Sequence, residues 1–166
     1  RHGDLKLHVK GDVDLFFIAE GKIDVRATGT INALYLVSLS GDIRLTSCRG
    51  DINVEYLEAA GSRGDVSLHA HGEVYLAETT FSGEQGRIIA GDDVRIWAKY
   101  TVSLYGDLAA GDDIDLSSCR GDVQVHGDLT AGDDVDIHSG GEIQIYGNIV
   151  AGDDVRIRAK YTVSLY

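Results

Sequence analysis

The sequence predicts an all-β chain, a parallel β-solenoid of about eight coils, each of roughly 20 residues with three short strands. Three observations predict it. A Gly–polar–apolar-x-apolar unit recurs along the whole chain, and a second apolar-x-apolar unit follows each copy at a near-constant offset. No window repeats apolar residues at the three-and-four spacing of a helix.

The first unit reads Leu5-Lys6-Leu7, Ile23-Asp24-Val25, Ile43-Arg44-Leu45 and Val66-Ser67-Leu68, then Val94-Arg95-Ile96, Ile114-Asp115-Leu116, Val135-Asp136-Ile137 and Val155-Arg156-Ile157. Its starts are 18, 20, 23, 28, 20, 21 and 20 residues apart. The second unit runs from Val13-Asp14-Leu15 through Ile31-Asn32-Ala33, Ile52-Asn53-Val54, Val74-Tyr75-Leu76, Val102-Ser103-Leu104, Val123-Gln124-Val125 and Ile143-Gln144-Ile145 to Val163-Ser164-Leu165. A third row is clearest late, at Ile88, Leu108, Leu129 and Ile149, each six residues before the next first unit; Val37 holds that place earlier.

Alternation puts the apolar pair on one side of a strand and the middle residue on the other. A three-residue strand buries nothing alone, so the coils above and below must complete its apolar face. Coils about 4.8 Å apart let each strand pair in parallel with its equivalent. The interior is then a set of aliphatic ladders. Gly precedes every first unit; at these corners it is expected to supply positive φ, and the neighbouring Asp to hydrogen-bond the turn backbone.

The chain reads as one domain, 1–166, with two irregularities. An insertion over 77–85 is expected to leave the shaft as a loop. Residues 90–105 recur as 151–166 with one change, Trp97 against Arg158, a super-repeat of 61 residues. With a start at Arg1-His2-Gly3-Asp4, this suggests a processed or excised segment of a longer array.

Net charge is -12 and pI about 4.7. Nucleic acid is excluded as a partner, since phosphate binding needs clustered Lys and Arg. Acidity suggests affinity for cations. No apolar run approaches the roughly 20 residues of a transmembrane helix.

AGDDVDIHSGGEIQI and AGDDIDLSSCRGDVQV resemble the repeats of filamentous-haemagglutinin-type secreted adhesins. GDIRLTSCRGDINVEYL is similar to the bacterial putative-adhesin family of Gly-Asp-Ile-x-Leu units. Bactofilin-type cytoskeletal polymers share the pattern with slightly shorter coils. The adhesin resemblance implies a right-handed coil, export to the cell surface, a shaft or fibre role and no catalytic residues.

Four doubled acids fall in register: Asp92-Asp93, Asp112-Asp113, Asp133-Asp134 and Asp153-Asp154. Stacked carboxylates repel and Ca²⁺ takes six to eight oxygens, so a calcium ladder is one reading. Turn-capping Asp is the other; the Gly-Gly-x-Gly-x-Asp nonapeptide of calcium solenoids is absent. No other cofactor is expected. Arg49-Gly50-Asp51, Arg63-Gly64-Asp65 and Arg120-Gly121-Asp122 need only an Arg beside a corner Gly-Asp, so their integrin-type reading is weak. Cys48 and Cys119 share a slot three coils apart; at about 14 Å they lie beyond the roughly 7 Å limit for a disulfide. They are expected as small buried or corner residues, with cross-links between filaments as the alternative. His69, His71, His126 and His138 show no metal spacing.

The second outward row (Asn32, Asn53, Tyr75, Ser103, Gln124, Gln144, Ser164) is mainly neutral. With Tyr75, Tyr100 and Tyr161 nearby, it offers a flat face to a polysaccharide or a neighbouring shaft. Catalysis needs acids at singular positions, whereas here they recur coil after coil, so the chain is not expected to be an enzyme. The function expected is a structural or adhesive extracellular fibre that assembles end to end as a homopolymer. The alternatives are a bactofilin-like cytoskeletal polymer, a calcium-binding β-helix, or a polysaccharide-binding or -cleaving β-helix with its cleft beneath the 77–85 insertion.

Overall fold

The structure, a computed structural model, describes residues 3–166. It is a parallel β-solenoid with about eight turns and no helix among the described residues. The first face stacks Leu5–Val9, Ile23–Ala27, Ile43–Ser47, Val66–Ala70, Val94–Ala98, Ile114–Ser118, Val135–Ser139 and Val155–Ala159 in chain order. Register is unbroken: Leu5 pairs with Ile23, Ile23 with Ile43, and Ile43 with Val66. Gaps of 18 to 28 residues all resolve into the same alignment because each apolar pair must meet the next one inside the stack.

These strands are two residues longer than the apolar-x-apolar unit. The added inward position is small, as in Ala27, Ser47, Ala70, Ala98, Ser118 and Ser139, all buried. Serine belongs there because its hydroxyl joins two coils. Ser47 Oγ donates to the Gly29 carbonyl at 2.7 Å and accepts the Gly50 N–H at 2.9 Å. Ser139 Oγ donates to the Gly121 carbonyl at 2.8 Å and accepts the Gly141 N–H at 3.0 Å. Hydrogen bonds made in this way offset the cost of taking the buried hydroxyls out of water.

The second face holds Ile52–Val54, Val74–Leu76, Val102–Leu104, Val123–Val125, Ile143–Ile145 and Val163–Leu165. The third holds Tyr56–Ala59, Arg87–Ala90, Asp107–Ala110, Leu129–Ala131 and Ile149–Val150. In the first two coils the two faces are one continuous strand each, Val13–Ala19 and Ile31–Ser38. The third row corrects one expectation. Leu36, not Val37, pairs with Leu57, and Leu57 with Ile88. The corner after Leu36 is one residue longer than those after Ile88 and Leu108, so counting back from the next strand lands one position late.

The interior is aliphatic and dry, with Ile23, Ile31, Leu36, Ile43, Leu45, Ile52 and Leu57 all under 2 % exposed. Each such side chain stabilises the stack by about 1.5–3 kcal/mol relative to exposure.

The corner glycines need a different explanation from the one expected. Among the described residues only Gly11 and Gly83 have positive φ. The others avoid a Cβ collision between coils. A Cβ on Gly111 would lie 2.1 Å from the Gly91 carbonyl oxygen, and one on Gly132 would lie 2.0 Å from that of Gly111. Close axial approach of backbone, not turn handedness, selects glycine here.

The insertion forms a compact loop. An antiparallel bridge joins Thr79 to Gln85, and Gly86 N–H donates to the Glu78 carbonyl at 2.8 Å. Gly83, with φ of 84°, makes the tip.

Candidate functional site: a groove beside the inserted loop and outward ladders

A groove of about 460 Å³ lies beside this loop, lined by Asp14, Asn32, Leu34, Asn53, Val54, Glu55, Tyr75 and Ala77. Register builds it. Asp14, Asn32, Asn53 and Tyr75 are successive outward residues of one column on the second face. Asn53 Nδ2 donates to Asn32 Oδ1 at 2.8 Å, and Asn32 Nδ2 donates to Asp14 Oδ1 at 2.6 Å. The chain of amides fixes both asparagine rotamers along the axis.

The loop is pinned by two contacts. Phe81 N–H donates to Glu55 Oε2 at 2.7 Å. The Phe81 ring meets Phe16 edge-on with centroids 5.7 Å apart, and Phe16 in turn packs on Tyr35 at 5.5 Å. Tyr35 stacks on Tyr56 at 5.0 Å. Burial, with the hydrogen bond to Glu58, raises the Tyr56 phenol above the ordinary tyrosine range. Phe16, Phe17, Ile18 and Phe81 nevertheless stay substantially exposed.

Tyr75 also touches the end of an aromatic ladder. Tyr105, His126, Tyr146 and Tyr166 stack with centroids 4.4, 4.5 and 4.5 Å apart and ring planes within 9° of parallel. Each directly follows a second apolar-x-apolar unit, a signal legible in the sequence. Tyr75 meets Tyr105 at 5.6 Å, tilted by 46°. Tyr100 and Tyr161 do not join this face. Each instead lies beneath the ammonium of the preceding lysine, at 5.2 Å for Lys99 and 5.0 Å for Lys160.

The doubled acids divide into two roles. The second Asp of the first three pairs caps the next coil. Asp93 Oδ1 accepts the Asp113 N–H at 3.0 Å, Asp113 Oδ1 that of Asp134 at 3.0 Å, and Asp134 Oδ1 that of Asp154 at 2.9 Å. Asp65 extends the row backwards by accepting the Asp93 N–H at 3.3 Å. Arg95 pairs with Asp93 and Asp65, and Arg156 pairs with Asp134 at 2.7 Å and Asp154 at 2.5 Å. Those arginines place positive charge beside Asp65, Asp93, Asp134 and Asp154. The backbone N–H of Asp154 and then Arg156 hold the Asp134 carboxyl below its usual value.

The side chains of the first acids, Asp92, Asp112, Asp133 and Asp153, make no hydrogen bond or ion pair among the described residues. Loss of hydration, then the neighbouring carboxylates, raises the pKa of Asp112 and Asp133. Three groups bring carboxylate oxygens within 4.8 Å of one another: Asp65, Asp92 and Asp93; Asp93, Asp112 and Asp113; Asp133, Asp134 and Asp153. Asp154 is outside all three. The Asp of each Arg-Gly-Asp triplet is also a cap: Asp51 accepts the Glu73 N–H and Asp122 that of Glu142, both at 2.8 Å.

His69 stacks on Trp97 at 4.2 Å, and His71 meets the same indole at 5.9 Å. Burial, then His71, lowers the His69 pKa. Cys48 is half-buried, Cys119 exposed, and both are free. They are corner residues as expected but not buried ones, because their side chains fall just past the last inward position of the first-face strand. Arg26 Nε donates to Cys48 Sγ at 3.4 Å.

Fold and corners together define a coil-repeat solenoid whose sequence is spent on stacking. The family described as Haemagglutinin repeat matches residues 17–47, 59–118 and 120–164, and the chain belongs to it. No curated protein and no solved structure matches the chain. An adhesin-like or structural repeat protein is the class these findings support.

Proposed function

We propose that the chain is a rigid shaft segment of a secreted or cell-surface adhesive fibre, with a mechanical rather than catalytic role. The parallel register that runs unbroken along the first face, from Leu5–Val9 to Val155–Ala159, carries this reading. A stack paired at every step resists bending and extension because each coil is held by its neighbours. The acids support the non-enzymatic part. They cap corner after corner, a structural use that needs repetition.

End-to-end growth is part of the proposal. The parallel pairing that joins each coil to the next is the same at every internal step, so an equivalent coil of another copy could pair in the same way. Electron microscopy over a concentration series tests it. Single units should be rods roughly 38 Å long, from eight coils about 4.8 Å apart, that add end to end at higher concentration. Compact, equant particles at every concentration would overturn the reading.

A further inference from the structure

The geometry points to the groove beside the 77–85 loop as a binding site for a neutral oligosaccharide, its chain lying along the stack axis. The site goes beyond the shaft reading, which stands or falls on rod shape alone.

Its polar lining suits hydroxyls. Asn32 and Asn53 are held by their mutual bond and by Asp14, yet each amide nitrogen keeps a second N–H. Asn53 Oδ1 meets no protein donor among the described residues, and Glu55 binds the loop through Oε2, leaving Oε1. Donors and acceptors therefore alternate along one line, and a sugar hydroxyl can satisfy either kind.

The apolar lining suits the C–H face of a pyranose. Leu34 and Tyr75 supply it. Along the ladder the rings of Tyr105, His126 and Tyr146 stack face to face on one another. Tyr75 meets Tyr105 only at a tilt of 46° and is the one aromatic residue that lines the groove. A sugar ring packed there continues the aromatic column while its hydroxyls reach the asparagines.

Charge and topology remove the rival ligands. Asp14 and Glu55 in the groove, on a chain of net charge -12, repel sulfated glycans and nucleic acid. The groove floor strand Ile52–Val54 is paired on both sides, by Ile31–Ser38 and Val74–Leu76, so no open edge accepts a peptide strand. The loop adjoins the groove at Ala77 and, through the Phe81 N–H, at Glu55, while the column from Asp14 to Tyr75 runs along the stack axis.

The test is ¹H–¹⁵N NMR of the full chain titrated with cellohexaose, maltohexaose and α-mannohexaose, with a heparin hexasaccharide as the charged control. At least one neutral hexasaccharide should shift the Asn32 and Asn53 side-chain amides. Tyr75→Ser, which copies the residue that register places at 103, should weaken that binding about tenfold with the circular dichroism unchanged. Asn53→Ala should weaken it comparably. No shift from any neutral hexasaccharide would overturn the proposal. So would shifts confined to Gln144 or Tyr146, a stronger response to heparin, or the same shifts produced by raising protein concentration alone, which would mean that a second copy fills the groove.

Discussion

Asp113 Oδ1 accepts the backbone N–H of Asp134, one coil further along, at 3.0 Å. The same bond joins Asp93 to Asp113 and Asp134 to Asp154, so a carboxylate stitches each corner to the next. Replacing Asp113 with Ala removes an acceptor and leaves that N–H unpaired, at a cost of about 1 kcal/mol. Asp113→Asn keeps a carbonyl oxygen in place and should recover most of the loss. Urea unfolding of the two variants separates capping from charge, since only the charge is lost in both.

The first acids behave oppositely. Asp112 and Asp133 have pKa values above 3.8, raised first by lost hydration and then by neighbouring carboxylates. A raised carboxylate pKa means that the folded state takes up the proton first as pH falls. Their contribution to stability is thus present below the unfolded pKa and lost as pH rises through the folded one. At pH 7 the double variant Asp112→Asn, Asp133→Asn should have the higher Tm, and at pH 3 the difference should vanish. Because the second acids already hold backbone N–H groups and arginines, EDTA is expected to leave the Tm unchanged. A fall that calcium alone restores would make a cation part of the fold.

Gly111→Ala forces a methyl to within 2.1 Å of the Gly91 carbonyl oxygen. Neither backbone can move without breaking register, so the variant should lose about 3 kcal/mol by thermal or urea unfolding. Gly11→Ala meets no atom within 4 Å but sits at φ of 115°, so there strain and not collision is the cause. A neutral Gly111→Ala would refute close coil approach at this corner.

His69 titrates below 6.5 because it is partly buried, with His71 adding repulsion. As pH drops, the unfolded chain binds the proton first, so stability is full above about pH 6.5 and declines towards the folded midpoint. Trp97 is the lone tryptophan and lies 4.2 Å from the His69 ring. Trp97→Ser should move the His69 NMR midpoint up towards 6.5 by admitting water. An unchanged midpoint would show that the indole does not desolvate the imidazole.

Much of the fold was legible because alternation and Gly-Asp corners state where strands begin. Leu5, Ile23, Ile43 and Val66 stack as their pattern required. What escaped is set by contacts between coils. Ser47 and Ser139 look like surface residues in sequence, and only the carbonyls of Gly29 and Gly121 next to them explain their burial. Leu57 escaped because the corner after it varies in length. Of the groove, the insertion and the column of Asp14, Asn32, Asn53 and Tyr75 were visible, while Leu34 and Glu55 join them only through the fold. Tyr100 and Tyr161 misled because aromatic content says nothing about which corner a ring occupies.

The native cysteines offer the most direct check of stacked coils. Cys48 and Cys119 occupy equivalent corners, their N–H groups donating to the Ala27 and Ala98 carbonyls of the preceding coil at 2.9 and 3.0 Å. Spin labels on both should report one narrow distance distribution, consistent with attachment points about 14 Å apart, or three coil steps. A broad distribution, or a separation of several tens of ångströms, would contradict it.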